Sequence, residues 1–70
     1  MKIDGHRVRA ARHAKKLTRE QLAVEIGVSH ATISRVERGL GDVAAGTAFL
    51  ISQTLDVPLQ ELFTENGAAA

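Results

Sequence analysis

No stretch of this chain alternates apolar and polar residues, so strands are not expected. The apolar positions instead pair five residues apart across a polar residue. Ile3 and Val8 flank Asp4, Leu17 and Leu22 flank Thr18, and Val28 and Ile33 flank Ser29. Each set has the form of a helix start. The polar side chain accepts a free first-turn N–H, while the residue before it packs onto the fourth helical position. The pattern therefore predicts helices opening at Asp4, Thr18 and Ser29. Thr18-x-x-Gln21 adds a capping box to the second, which runs through Ala23 and Ile26 and stops at Gly27. The third ends at Arg38, before Gly39.

Beyond Gly39 the pattern loosens. Gly39-Leu40-Gly41-Asp42 reads as a loop, and Gly46 weakens any helix beginning before Thr47. A fourth helix is predicted from Thr47 to Leu55, with Ala48, Ile51 and Leu55 on one stripe. Asp56-Val57-Pro58 breaks the chain, and Pro58 suits the first turn of a short fifth helix carrying Leu59, Leu62 and Phe63. The fold class expected is all-α, a compact five-helix domain over residues 1–66, with the Ala68-Ala69-Ala70 end of segment 67–70 frayed.

Helices two and three are separated by Gly27-Val28-Ser29 alone, the tight joint of a helix-turn-helix spanning about residues 18–38. At 100° per residue the third helix has two faces. Ile33 and Val36 point one way with Glu37 beside them. His30, Ala31, Ser34, Arg35 and Arg38 occupy the other arc.

Charge sharpens this picture. All nine basic residues fall within the first 38 positions against four acids, and the remainder holds four acids and no base. Such polarity suits a polyanion on one side of the molecule, although a solvated surface could cluster charge equally well. A hydrogen-bonding, cationic arc backed by apolar anchors suits the major groove of double-stranded DNA. Arg35 can give two parallel hydrogen bonds to guanine O6 and N7; His30 can donate to a purine N7. Ala31 offers a methyl to thymine, and Ser34 can bond either way. Arg19 stands at the start of helix two, where free N–H groups already favour a phosphate. Thr18, Ser29, Thr32 and Arg38 are further phosphate candidates, which position the protein while base contacts specify.

The runs Leu17-Thr18-Arg19-Glu20-Gln21-Leu22-Ala23, Ile26-Gly27-Val28-Ser29 and Thr32-Ile33-Ser34-Arg35-Val36-Glu37-Arg38-Gly39 resemble the Cro/repressor-type (xenobiotic-response-element, XRE) helix-turn-helix family. Leu55-Asp56-Val57-Pro58-Leu59-Gln60-Glu61-Leu62-Phe63 resembles that family's last helix. The resemblance covers about residues 3–64. It implies a lambda-repressor-like domain, usually dimeric, acting in bacterial or phage transcription control as a repressor on a palindromic operator. It implies base reading by His30, Ala31 and Arg35, phosphate binding by Thr18, Arg19 and Arg38, and a partly buried ion pair between Arg12 and Glu37. The position of Glu37 beside the apolar arc agrees with such a pair. One stretch departs from the family: residues 40–46 hold no base and one acid, Asp42. Phosphate attraction from that loop is expected to be weak, leaving affinity to lean on dimer formation.

If Ala48, Ile51 and Leu55 face the core, Phe49 and Leu50 turn partly outward and, with Phe63, would build a two-fold contact. A rotated fourth helix would bury Phe49 instead. A second reading is a protein-interaction module such as an antitoxin. Its surface would more often carry aromatic or Met anchors on helix three, where none stands. Enzymatic function has no support: there is no nucleophile–base grouping, carboxylate pair or Gly-rich phosphate loop. No cofactor is expected. No metal is expected either, because the chain has no cysteine and His6, His13 and His30 share no i, i+4 spacing. With no charged-then-apolar leader and no apolar run of about 18 residues, a cytoplasmic, nucleoid-associated location is expected.

Overall fold

Three of the helix starts read from the sequence are built as their local chemistry requires. The computed structural model describes residues 2–40 and 42–63. Asp4 caps α1 (Gly5–Ala14) by accepting from the His6 N–H at 2.9 Å. Thr18 caps α2 (Arg19–Ile26) with the full reciprocal box: its hydroxyl accepts from Gln21 N–H at 3.0 Å, and its own N–H donates to Gln21 Oε1 at 2.8 Å. Ser29 caps α3 (His30–Glu37) by accepting from Thr32 N–H. Gly27 and Gly39 close α2 and α3 with φ of 78° and 71°, the left-handed region open to a residue without a β-carbon.

The second half differs from expectation in two ways. The fourth helix, α4 (Ala45–Leu55), begins two residues before Thr47 and takes Gly46 into its first turn. Burial of Val43 and Ala48 on either side of this start draws the chain into the core and outweighs the small propensity cost of one glycine. The fifth helix is a single 3-10 turn, Leu59–Leu62. The turn stops at Phe63, whose backbone is extended, with φ of -76° and ψ of 155°. The path of this segment is fixed by the backbone: Asp4 N–H donates to the Leu62 carbonyl at 2.7 Å, and Ile3 and Phe63 form an isolated antiparallel bridge. The expected end of the domain at residue 66 and the frayed tail at 67–70 lie outside the described residues, as does Gly41.

The helices wrap one core of Ile3, Val8, Leu22, Ala23, Ile26, Ile33, Val36, Val43, Ala48, Ile51, Leu55 and Leu62. α2 packs on α3 and on α4, while α1 packs on α3, on α4 and on the 3-10 turn. Leu17 and Val28, the residues that precede the caps, lie against this core as staples. α3 is thus held from behind by α1 and α2, leaving its remaining arc outward. No helix of the described residues is long and apolar enough to cross a membrane.

Candidate nucleic-acid interface

The two faces of α3 separate as the helical wheel requires. Ile33, Val36 and Glu37 are buried, whereas His30, Ala31, Arg35 and Arg38 are exposed and Ser34 is half-buried. Among the described residues, no side-chain hydrogen bond or ion pair engages His30, Ser34, Arg35 or Arg38. Thr32 is half-buried, and its hydroxyl shares a 3.0 Å hydrogen bond with Ser29 Oγ. A bond between two hydroxyls uses one of their two protons, so this pair keeps one donor for an outside acceptor. Thr18 likewise accepts in its cap while its own O–H remains available.

Behind the exposed arc of α3 lies a buried electrostatic centre. Arg12 Nε donates to Glu37 Oε2 at 2.6 Å and its second terminal nitrogen to Oε1 at 3.2 Å, a forked pairing of guanidinium and carboxylate. The other terminal nitrogen donates to the Leu17 carbonyl at 2.8 Å, tying in the turn before α2. Burial pushes the Glu37 carboxyl up. The hydrogen bonds and charges of Arg12 and Arg19 outweigh burial and hold the group below the ordinary 4.5.

Arg19, expected from the sequence to meet a phosphate, is also bonded within the protein. Its Nε donates to Glu37 Oε1 at 3.1 Å, so one carboxylate serves two arginines. Sequence spacing gives no hint of this bond, because residues 18 apart meet only when α2 folds across the end of α3.

A depression of about 600 Å³ opens where α1 ends and α2 and α3 begin, lined by Arg9, His13, Lys16, Arg19 and His30 with Thr18 and Glu20. Of these, His13 and Lys16 are not singled out by the sequence, and Arg9 reads there as a surface charge with at most minor contact to a DNA backbone. The i, i+4 spacing of Arg9 and His13, which share one face of α1, was the available signal for those two; Lys16 lies past the helix end at φ 58°, where helical spacing does not place it. His13 also meets Arg12 through Nε2 at 3.2 Å. No group of three metal-ligating side chains occurs among the described residues.

The candidate dimer residues sit apart from this face. Phe49 and Leu50 on α4 are 52% and 42% exposed, so α4 is not rotated to bury Phe49. Phe63 is half-buried, its backbone tied to Ile3. In the loop before α4, Leu40 is 50% exposed and Asp42 is exposed.

The chain is 41% identical over 64 residues to the HTH-type transcriptional regulator RghRB of Bacillus subtilis, covering 90% of this chain and 46% of that protein. It spans about half the length of such relatives. Among solved structures it is similar to the restriction-modification controller protein C.AhdI from Aeromonas hydrophila, with 36% identity, a TM-score of 0.78 and coverage of 84% of this chain and 89% of that one. It is similar also to the P22 c2 repressor solved with a synthetic operator, with 26% identity, a TM-score of 0.83 and coverage of 91% and 97%. This is a family of regulators and not of enzymes. Its helix-turn-helix model matches residues 8–62, and the chain belongs to the XRE-type helix-turn-helix family.

Proposed function

We propose that this chain is a sequence-specific transcriptional repressor that lays α3 into the major groove of double-stranded DNA. One observation carries the reading. The polar and cationic side chains on the outer arc of α3 are left uncommitted, while the charges behind it are tied down. Arg35 reads a guanine, with His30, Ala31 and Ser34 completing the base contacts. Thr18, Arg19, Ser29, Thr32 and Arg38 hold the flanking phosphates, and the Arg12–Glu37 pair keeps α3 at a fixed pitch on α1.

The protein acts in the cytoplasm, on the nucleoid, as a homodimer joined through Phe49, Leu50 and Phe63. Its operator is a palindrome with half-sites roughly 34 Å apart, one turn of the duplex. The operator-bound c2 repressor and the regulator RghRB support this reading by similarity. The test is selection of bound duplexes from a random pool by the wild-type chain and by Arg35→Ala. An enriched inverted repeat, relaxed at one symmetric position by the substitution, is the expected result. Enrichment of no sequence at all would sink the proposal.

A further inference from the structure

The two arginines on Glu37 are used unequally. The Arg12 side chain is 7% exposed, and its Nε and both terminal nitrogens hydrogen-bond within the protein. The Arg19 side chain is 40% exposed, and among the described residues only its Nε is engaged, on Glu37 Oε1. A guanidinium carries five N–H groups in one rigid plane, so four of Arg19's remain, on the edges beyond the anchored Nε. Arg19 also lines the basic depression beside Arg9 and Lys16. One carboxylate shared by two guanidiniums leaves a surplus positive charge, and the exposed member of the pair carries it outward.

We propose that Glu37 is a positioning residue for DNA binding: it holds Arg19 by one edge so that the free edges form a preset fork for a backbone phosphate. The proposal rests on the DNA-binding reading above and deepens it. An exposed arginine ordinarily gives up rotamer freedom when it takes a phosphate, whereas Arg19 is restrained beforehand. Glu37 ends the reading helix and Arg19 begins α2. Their bond therefore fixes the distance between the phosphate contact and the base-reading face. The carboxylate that locks α1 to α3 also sets the register of the duplex.

The test titrates a short random-sequence DNA duplex, labelled for anisotropy, with the full chain at several salt concentrations. The variants are Arg19→Gln, Arg19→Lys, Glu37→Gln and the double Arg19→Gln/Glu37→Gln, each checked for folding by circular dichroism. Arg19→Gln is expected to weaken binding roughly tenfold and to make the slope of log affinity on log salt shallower by about 0.9. Arg19→Lys keeps the charge and the slope yet binds about threefold more weakly, because an ammonium is no planar fork. Glu37→Gln weakens binding when Arg19 is present and adds nothing in the Arg19→Gln background. Equal effects of Glu37→Gln in both backgrounds would overturn the proposal, since Glu37 would then act through the fold alone. If Glu37→Gln does not fold, Arg19→Lys decides, and wild-type affinity there overturns it. Unchanged affinity and slope in Arg19→Gln would end this inference while leaving DNA binding intact. A wild-type chain with no salt-dependent duplex binding would end both.

Discussion

Gly5, at the start of α1, lies against the backbone carbonyl of Glu37, at the end of α3, so closely that a β-carbon would overlap that oxygen and stand 2.7 Å from the Val36 carbonyl oxygen. The contact brings the positive end of one helix dipole to the negative end of another. It joins the same two helices that the Arg12–Glu37 pair joins through side chains. α3 is thus fixed on α1 at a backbone contact and at an ion pair. Neither tolerates much change in the distance between them.

Gly5→Ala is therefore expected to destabilise the domain by about 1–3 kcal/mol through overpacking against backbone that cannot yield. Gly46→Ala makes the opposite control. Apart from its own chain neighbours and helix backbone, no heavy atom of the described residues lies within 4 Å of the methyl it would add. Alanine is preferred to glycine within a helix by about 0.5–1 kcal/mol, so stability should rise by that amount. Urea denaturation of the two variants side by side checks both signs.

Acid should loosen the same junction. The Glu37 carboxyl is held below 4.5 in the folded chain because its two arginines outweigh burial. A carboxyl with a depressed pKa contributes stability that is complete above its unfolded value and is lost as pH falls through its folded one. From neutral pH to about 5 this contribution should stay constant, then decline as pH drops below about 4.5. Denaturation midpoints across that range should fall less steeply in Glu37→Gln than in the wild type. Parallel acid limbs would rule out Glu37 as a source of the decline.

Arg35 and Arg38 are both exposed, one on the reading face and one at its end. Their alanine variants should separate base reading from phosphate contact. Arg35→Ala should cost about 1–3 kcal/mol on the preferred operator and much less on other sequences. Arg38→Ala should weaken all duplexes alike and reduce the salt slope by about 1. Affinities on matched and scrambled duplexes at two salt concentrations make the comparison.

Phe49 exposes half its surface on α4, away from the basic depression. If the proposed homodimer forms through this residue, Phe49→Glu should leave the fold intact and sediment as a monomer where the wild type sediments as a dimer. Operator affinity should then fall steeply while nonspecific affinity per chain changes little. A variant that still sediments as a dimer would move the interface elsewhere.

The helix starts were legible because their chemistry is local. Asp4, Thr18 and Ser29 each satisfy N–H groups two or three residues away, and Gly27 and Gly39 supply a backbone conformation that needs no distant partner. The outward arc of α3 followed from helical periodicity alone. Other turns were closed without the expected residue. Lys16 and Asp56 take φ of 58° and 57°, stopping α1 and α4 where no glycine marks the place. Glycine at position 46 weakens a helix start by local propensity, yet burial on either side carries the helix through it.

The sequence by itself determined where α1 to α3 begin, the tight joint between α2 and α3, and the class of residue presented to a partner. Each of these is settled within one or two turns of chain. Only the tertiary structure decided that Arg19 shares Glu37 with Arg12, that Arg9, His13 and Lys16 gather beside it, and that Gly5 must lack a side chain. These depend on how α1 and α2 cross the end of α3. The crossing is set by the packing of the whole core, which no short window of sequence contains.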